Sequence, residues 1–317
     1  MNGNGLKIFT CNGNPDLARR VCEYLEIPLG DATVGRFPDG EINLKINEDV
    51  RGRDIFIVQP TCPPVNDNLM ELLVMVDAAR RSSAKRITAV IPYYGYARKD
   101  RKEEGRVPIT AKLVANLLVQ AGVDRVLALD LHATQIQGFF DIPVDHLFSF
   151  PVLSEFFRES NIPDLAVATP DVGGIRMARA FSNSLGAGLA VVDKRRISPE
   201  ESAVGFVIGE VKGRNILIVD DMVTTAGSLV NAANVLMEKG AVSVRAAAAH
   251  AVLCGDAAEK IRNSPIQEIV VTDSIPLNSK AKSLGDRIRV LTVSKLLGEA
   301  VHRIHMNESV SSLFMKQ

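Results

Sequence analysis

Short apolar runs rich in β-branched residues recur along the chain, and a polar turn follows most of them. Runs of this kind are typical of strands that are buried on both faces of a parallel sheet. Stretches with apolar residues at helical spacing lie between them, so the order strand, helix, strand is repeated. We therefore predict an α/β protein with mainly parallel sheets flanked by helices, and with strands at 87–91, 126–129, 165–168, 188–192, 216–219, 242–248 and 269–273.

The two halves of the chain repeat one another. Residues 52–59 (GRDIFIVQ) are similar to residues 213–220 (GRNILIVD), and residues 126–130 (VLALD) are similar to residues 269–273 (IVVTD). The order of elements after each copy is the same, which indicates an internal duplication of one α/β domain. A length of 317 residues also exceeds that of a typical single domain. We predict an N-terminal domain at 1–147 and a C-terminal domain at 148–317.

The segment 216–228 (ILIVDDMVTTAGS) carries the clearest chemical signal. Its apolar strand runs into two acids and a turn of small residues, and Ser228 is predicted to cap the amphipathic helix that follows. Backbone N–H groups at the positive N-terminus of a helix form an anion site, to which hydroxyl groups can add donors. Asp220 and Asp221 cannot bind phosphate, so they either accept hydrogen bonds from sugar hydroxyls or hold a metal ion. The segment therefore predicts a sugar-phosphate site.

The N-terminal copy lacks the features of this site. Its strand is followed by residues 59–64 (QPTCPP), whereas the C-terminal copy has two acids and a turn with hydroxyl groups. Proline has no backbone N–H to offer a phosphate. We therefore predict that the C-terminal copy binds a sugar phosphate at this loop and that the N-terminal copy has a different use.

Two other segments of the N-terminal half combine charged and aromatic residues. Residues 37–41 (FPDGE) offer a ring, a turn and two carboxylates, and residues 92–102 (PYYGYARKDRK) leave a strand and become basic. A basic run is often a solvated loop, but cations that follow several tyrosines also suit a polyphosphate.

Further candidates follow other predicted strands. His132 and Asp171 lie just after the strands 126–129 and 165–168, at the edge where open α/β sheets bind ligands. A lone histidine in this position is also commonly structural. Residues 193–196 (DKRR) precede a stretch without periodicity, which predicts a loop that closes cations over a transferring phosphoryl group.

Composition excludes several classes of protein. The chain is 46% hydrophobic and 23% charged, with a net charge of zero, which argues against a general binder of nucleic acid or of anionic membranes. Neither a membrane-spanning apolar run nor a signal-peptide pattern is found, so we expect a cytoplasmic protein without a membrane partner. The four cysteines are scattered and are expected to be reduced. A P-loop pattern is also missing from the sequence.

The motifs together resemble one known family over nearly the whole chain. Segments 37–41, 96–102, 130–132, 135–140, 193–196 and 219–228 are similar to those of the ribose-phosphate diphosphokinases, also called phosphoribosyl pyrophosphate synthetases. Segment 216–228 by itself resembles the phosphoribosyl-diphosphate loop of the type I phosphoribosyltransferase fold, which is therefore expected for both domains.

The resemblance implies a transferase of nucleotide biosynthesis that uses Mg²⁺. It would move the diphosphoryl group of ATP to the 1-hydroxyl of ribose 5-phosphate, giving AMP and 5-phospho-α-D-ribose 1-diphosphate. It also implies a homo-oligomer, commonly a hexamer, that has no nucleic-acid partner.

The resemblance also assigns roles to particular residues. Those expected to contact ATP are Phe37, Asp39, Gly40, Glu41, Arg98 and Lys99, and those expected to hold Mg²⁺ are His132 and Asp171. Those expected to hold ribose 5-phosphate are Arg196, Asp220, Asp221, Thr224, Thr225, Ala226, Gly227 and Ser228. Lys194 and Arg196 are expected to be catalytic.

Three positions depart from the family pattern. Thr224 stands where many relatives have Asp, and Val172 where many have His, so we expect altered affinity at these sites. Residues 103–105 (EEG) replace a cation and a hydroxyl that resemble the phosphate and ADP site of regulated members. The replacement removes electrostatic attraction and a donor, which weakens the case for regulation by these anions.

Two rival functions share part of this pattern. A phosphoribosyltransferase that consumes phosphoribosyl diphosphate would share the 220–228 loop, but it gives no reason for the altered N-terminal copy. A non-catalytic regulatory homologue should have lost active-site groups that are present here, among them His132, Lys194 and Asp220.

Overall fold

The computed structural model describes residues 5–194 and 205–313, with the side chains of 193, 194 and 205 left out. The chain forms two compact units, and it passes from the first to the second between Phe148 and Ser149. The C-terminal unit contains Ser149–Asp273 and Leu277–Leu291, and the N-terminal unit takes the chain before Ser149, the segment Ser274–Pro276 and the chain from Thr292 onward.

The N-terminal unit is built on a five-stranded parallel sheet in the order β1-β4-β5-β6-β7, with β2 and β3 as a separate antiparallel hairpin. Its elements up to Phe148 are β1 (Leu6–Thr10), α1 (Pro15–Leu25), β2 (Ala32–Arg36), β3 (Ile42–Ile46), β4 (Asp54–Val58), α2 (Val65–Arg81), β5 (Arg86–Ile91), α3 (Thr110–Ala121), β6 (Arg125–Leu129) and β7 (Val144–Leu147). Ile55 and Ile57 belong to a core cluster with residues of α2 and α3, and Phe56 between them is also fully buried. Helices therefore cover this sheet on both faces, as its continuous apolar strands predict.

The C-terminal unit has a seven-stranded sheet in the order β10-β9-β8-β11-β12-β13-β14, in which β9 and β10 are antiparallel and the other neighbours are parallel. Its elements are α4 (Phe150–Glu159), β8 (Leu165–Thr169), α5 (Ile175–Leu185), β9 (Gly188–Lys194), β10 (Gly205–Ile208), β11 (Asn215–Val223), α6 (Gly227–Glu238), β12 (Ser243–Ala251), α7 (Ala257–Arg262), β13 (Ile266–Thr272), α8 (Ser279–Lys282) and β14 (Ile288–Leu291). Ile216 and Ile218 pack with α6 and α7, whereas Leu217 and Val219 pack with α4 and α5. Successive side chains of β11 point to opposite faces of the sheet, so they contribute to the core on each face.

The two units share one topology, and the predicted fold class is confirmed. The series β1-β4-β5-β6-β7 in the first unit has the same parallel order as β8-β11-β12-β13-β14 in the second. The register also matches, because Asp54 pairs with Leu6 and Arg86, and Asn215 pairs with Leu165 and Ser243. Counting along β4 and β11 from these residues places Gln59 and Asp220 at equivalent positions.

The last helix, α9 (Ser294–His305), departs from the predicted domain range of 148–317. This helix belongs to the N-terminal unit, where the hydroxyl of Tyr24 in α1 donates to Glu299 Oε2 over 3.0 Å. Arg86 donates to the backbone oxygen of Ile304 over 2.9 Å, at the C-terminus of the helix. Such long-range packing leaves no local signal in sequence, so the predicted C-terminal domain included this helix wrongly.

Candidate active site

The two acids of the sugar-phosphate segment lie within a strand. The apolar pattern predicted a strand that ends at Val219, but β11 continues through Asp220 and Asp221 to Val223. The neighbouring β12 extends to Ala251, so its backbone pairs with these last residues, for example Asp220 with Ala248. Backbone pairing with a long neighbour decides the end of the strand here, and the polarity of the side chains does not.

The turn after β11 leads directly into α6. Ala226 has φ of 59°, in the left-handed region, and α6 begins at Gly227. Ser228 was predicted to cap this helix, but the cap residue is Ala226 and makes no side-chain cap hydrogen bond, so Ser228 lies in the first turn. The first N–H groups of any helix have no intrahelical acceptor, and the dipole adds partial positive charge there. The N-terminus of α6 therefore suits an anion.

The loop after β12 supports this turn. The backbone N–H groups of Leu253 and Cys254 donate to the carbonyl oxygens of Val223 and Thr224, each over 2.9 Å. Thr225 and Ser228 remain exposed beside the start of α6, and Thr224 is half-buried. The backbone of the turn is thus fixed while two of its hydroxyl groups face solvent, which is the arrangement that a bound phosphate needs.

Acidic side chains are concentrated beside the turn. Asp220 accepts a hydrogen bond from the backbone N–H of Asp221 over 2.9 Å. Removal from water is the largest cause that raises the pKa of Asp220, and together with the nearby charges of Asp221 and Asp171 it brings the value to about 8. A cation, or hydroxyl donors of a sugar, would relieve this repulsion and favour the ionised carboxylate.

Asp171 follows β8 and is exposed. Its Oδ1 accepts from the backbone N–H groups of Gly173 (2.8 Å) and Gly174 (3.3 Å), so it caps the short 3-10 helix Val172–Gly174. A Cβ on Gly174 would lie 2.1 Å from Thr169 Oγ1, which explains why glycine occupies this tight turn. The fixed turn brings the carboxylate of Asp171 close enough to Asp220 to raise its pKa.

The equivalent of Asp220 in the N-terminal unit is committed to an internal network. Gln59 is fully buried, and its Oε1 accepts from the backbone N–H of Gly13 over 3.0 Å. Its Nε2 lies 3.2 Å from both the backbone oxygen and Oδ1 of Asn68, to which it donates. Asn68 in turn donates to the backbone oxygen of Cys62 over 2.7 Å. Side chains thus occupy the space at this loop that a sugar would need.

Residues 37–41 form the exposed turn of the β2–β3 hairpin. The backbone N–H of Phe37 donates to Glu41 O over 2.8 Å, and that of Gly40 donates to Phe37 O over 2.9 Å. Asp39 Oδ1 accepts from the N–H of Glu41 over 3.1 Å, and Gly40 has φ of 94°. Internal hydrogen bonds therefore order the turn, while the Phe37 ring, with 47% of its surface exposed, is left to solvent.

The basic segment after β5 is exposed at Arg98 and Lys99. Glu103 pairs with Arg101 over 3.0 Å and lies 3.9 Å from Lys99, so one of the departures from the family pattern neutralises cations of this segment. Gln135 Nε2 donates to Asp100 Oδ2 over 2.6 Å and ties the segment to the short 3-10 helix Thr134–Phe139.

His132 is exposed in the turn after β6. Asp130, two residues earlier, has φ of 40°, and the next backbone N–H, of Leu131, donates to Nε2 of His146 over 2.9 Å. His146 is buried, so this hydrogen bond ties the turn to the interior of the unit. His146 thus stabilises the turn in which His132 is exposed. The sequence analysis missed His146 because it lies inside the strand β7 and belongs to no recognisable motif.

The predicted catalytic residues come at the end of β9 and in the sequence directly after it. Lys194 is the last residue of β9, but its side chain and all of Arg196 lie outside the described residues. The strands on either side of 195–204 pair antiparallel, with Val192 opposite Val207.

Across 5–194 and 205–313, no group of three or more His, Cys, Asp or Glu side chains is arranged to hold a metal ion by itself. Within the same ranges, no helix has the length and apolar character needed to cross a membrane.

Comparison with known proteins identifies the family. The model for the N-terminal domain of ribose phosphate pyrophosphokinase matches residues 6–122, and the model for the phosphoribosyl synthetase-associated domain matches residues 195–315. The ribose-phosphate pyrophosphokinase of Helicobacter pylori is 53% identical over 310 residues, which cover 98% of this chain and 96% of that protein. The chain belongs to the ribose-phosphate pyrophosphokinase family.

Other members of the ribose-phosphate pyrophosphokinase family are similar to this chain along nearly their whole length. That of Ralstonia nicotianae is 54% identical over 315 residues, which cover 99% of each chain. The crystal structure of phosphoribosylpyrophosphate synthetase from Mycobacterium smegmatis has a TM-score of 0.90 and 39% identity, covering 96% of this chain and 99% of that one. The family predicted from the motifs is thus confirmed, and its name describes the predicted reaction, the transfer of a pyrophosphoryl group to a ribose phosphate.

Proposed function

We propose that the chain catalyses the Mg²⁺-dependent transfer of the diphosphoryl group of ATP to the 1-hydroxyl of ribose 5-phosphate, giving AMP and 5-phospho-α-D-ribose 1-diphosphate. The observation that carries the proposal, together with the family, is the contrast between Asp220 and Gln59. The C-terminal copy has an accessible turn beside the acidic residues Asp220 and Asp221. In the N-terminal copy, the side chains of Gln59 and Asn68 fill the equivalent loop. One duplicated chain can therefore bind two different substrates.

The acceptor sugar occupies the C-terminal unit. Its 5-phosphate accepts hydrogen bonds from the backbone of Ala226 and Gly227 and from the hydroxyls of Thr224, Thr225 and Ser228. Asp220 and Asp221 accept hydrogen bonds from the sugar hydroxyls, since carboxylates would repel the phosphate. The left-handed Ala226 and the N-terminus of α6 support this assignment.

ATP occupies residues of the N-terminal unit. Arg98 and Lys99 pair with the phosphates, and the Phe37 ring packs on the base, while Asp39, Gly40 and Glu41 provide polar groups of the hairpin turn. The exposed ring and the exposed cations support these roles, because each side chain is available to a ligand.

As the family implies, His132 of the N-terminal unit and Asp171 of the C-terminal unit would each be a ligand for Mg²⁺. Asp171 fits a magnesium ion that keeps several waters, because it has a second carboxylate oxygen besides the one that caps Val172–Gly174. When bound, Mg²⁺ neutralises phosphate charge.

The chemical step is an in-line displacement. A bond forms between the 1-oxygen of the sugar and the β-phosphorus of ATP, the bond from that phosphorus to the oxygen of the α-phosphate breaks, and the hydroxyl proton is released. Lys194 and Arg196 stabilise the charge that develops on the departing AMP, and no covalent enzyme intermediate is required. Holding the sugar still at the α6 turn supplies the orientation of the attacking oxygen.

We further propose that the chain assembles as a homohexamer, on the basis of its family. Size-exclusion chromatography with light scattering measures the molar mass directly. A species of six chains supports the assembly, and a monomer at the concentrations used in assays contradicts it.

The decisive assay is formation of AMP from ATP that depends on ribose 5-phosphate and Mg²⁺, with mass spectrometry of the sugar product. Parallel reactions with inorganic phosphate and with ADP test regulation, which we expect to be weak because Glu103 and Glu104 bring negative charge to the segment. A regulatory homologue would form no AMP. A phosphoribosyltransferase would instead consume phosphoribosyl diphosphate in the presence of a nucleobase.

A further inference from the structure

The hairpin turn 37–41 projects from a hairpin whose body is fixed by apolar packing. Ala32 and Val34 of β2 and Leu44 and Ile46 of β3 pack against the core that contains α2. The turn itself is exposed at each of its five residues. Its position therefore depends on polar contacts at the end of the hairpin.

Arg36, the last residue of β2, makes such contacts in two directions. Its Nη1 donates to the backbone oxygen of Gly40 across the turn over 3.0 Å. Its Nη2 lies 2.8 Å from Oδ2 of Asp67, an acidic residue in the first turn of α2. A planar guanidinium can direct separate N–H groups at two acceptors at once, which a lysine ammonium does with less geometric control.

The two contacts link the turn to a rigid part of the unit. Asp67 lies next to Asn68, whose side chain and backbone oxygen bind the buried Gln59. The network that fills the altered loop of this unit thus fixes the start of α2, and Arg36 connects that helix to the turn.

We infer that Arg36 is a positioning residue, which with Asp67 holds the hairpin turn in the conformation that receives ATP. The inference rests on the proposed function, because it takes the turn to be part of the ATP site. Arg36 acts through Gly40 and α2 and does not need to touch the nucleotide. Arg36 and Asp67 have 44% and 42% of their side-chain surfaces exposed, so their ion pair contributes little to the stability of the fold. We therefore expect its loss to change the binding of ATP and not the melting temperature.

The test compares Arg36→Met, Asp67→Asn and the double variant by steady-state kinetics. Both single variants should raise KM for ATP about fivefold, the scale of one ordinary hydrogen bond, because the pair is partly exposed to water, while KM for ribose 5-phosphate and the melting temperature stay unchanged. The double variant should be no worse than either single one, because both break the same link. Asp67→Glu should restore part of the affinity.

Helix α2 provides a matched control. Arg81 and Asp77 form an exposed pair over 2.7 Å in the same helix, and Arg81→Met and Asp77→Asn should leave both KM values unchanged. A direct contact between Arg36 and ATP predicts a different pattern, in which Asp67→Asn releases the cation and lowers KM for ATP while Arg36→Met raises it. That pattern, or unchanged KM for ATP in both single variants, overturns the inference. An inactive wild-type protein overturns the proposed function itself, and the inference with it.

Discussion

The imidazole Nδ1 of His305, at the end of the last helix, lies 2.8 Å from Oδ2 of Asp54 at the start of β4. Asp54 also receives two hydrogen bonds from Arg86, of 2.8 and 2.5 Å. Two segments of the N-terminal unit that are 251 positions apart in sequence therefore meet at one carboxylate. The contact explains how the C-terminal helix joins a unit to which its sequence position does not assign it.

Removing this carboxylate should loosen α9. In Asp54→Asn, the partly buried guanidinium of Arg86 loses its charged partner, and removing one partner of such a pair should cost about 2–3 kcal/mol of unfolding free energy. We expect the melting temperature to fall by roughly 5–10 °C in scanning calorimetry. Asp77→Asn, which breaks the exposed pair with Arg81, is the control and should change it by less than about 2 °C. An equal effect of the two substitutions would contradict the role given to Asp54.

The raised pKa of Asp220 predicts a pH-dependent stability. Because its folded-state value of about 8 exceeds the ordinary value of 3.8, the stabilising contribution is complete below about pH 4 and is lost as the pH rises through 8. Asp220→Asn is neutral at every pH. We therefore expect the melting temperature of this variant, relative to wild type, to increase from about pH 4 to about pH 8 and then to level off, in metal-free buffer. A difference that does not depend on pH would show that the Asp220 carboxyl ionises normally.

Replacing Gln59 should not recreate a sugar site. In Gln59→Glu, a carboxylate oxygen replaces the amide nitrogen that donates to Asn68 and lies 3.4 Å from Glu71 Oε2. A buried charge opposite other oxygens should cost about 3 kcal/mol at pH 7 and less near pH 5, where the new carboxyl is protonated. Urea unfolding at the two pH values measures this, with the exposed Gln120→Glu as the control. A stable variant at pH 7 would mean that the loop has room for water or a ligand.

Lys194 should contribute to turnover far more than to folding. Lys194→Ala removes a cation proposed to stabilise the departing AMP, and losses of this type reduce kcat by about 10²–10³-fold. The melting temperature and the KM for ribose 5-phosphate should change little. The rate of AMP formation at saturating substrate concentrations measures kcat. The control is Lys239→Ala, because Lys239 is exposed at the C-terminal end of α6. Near-normal turnover of Lys194→Ala would remove this residue from the proposed mechanism.

Much of the fold could be predicted because its signals are local. The run Ile216–Val219 is buried on alternate faces, and the repeated order of strands follows from the duplicated segments. The end of β11 could not be predicted, because it depends on the length of β12. The cap at Ala226 was also missed, since a left-handed alanine is decided by the geometry of the turn and not by its side chain.

The candidate site shows the same division. Asp220 and the residues of the turn were identified by residue type, but the repulsion that raises the pKa of Asp220 depends on Asp171, which arrives from another strand. His146 and Arg36 gave no chemical signal of their own, and each acquires a role only through a partner that the fold supplies.

The sequence by itself determined the α/β class, the duplication, the loss of phosphate donors in the N-terminal copy and the family, because each depends on residue type and order along the chain. Tertiary structure decided that Gln59 closes its loop, that α9 joins the N-terminal unit and that Arg36 spans from a turn to a helix. The physical reason is that hydrogen bonds and charge interactions act over a few ångströms in space. Residues far apart in sequence become partners only after the sheets have formed.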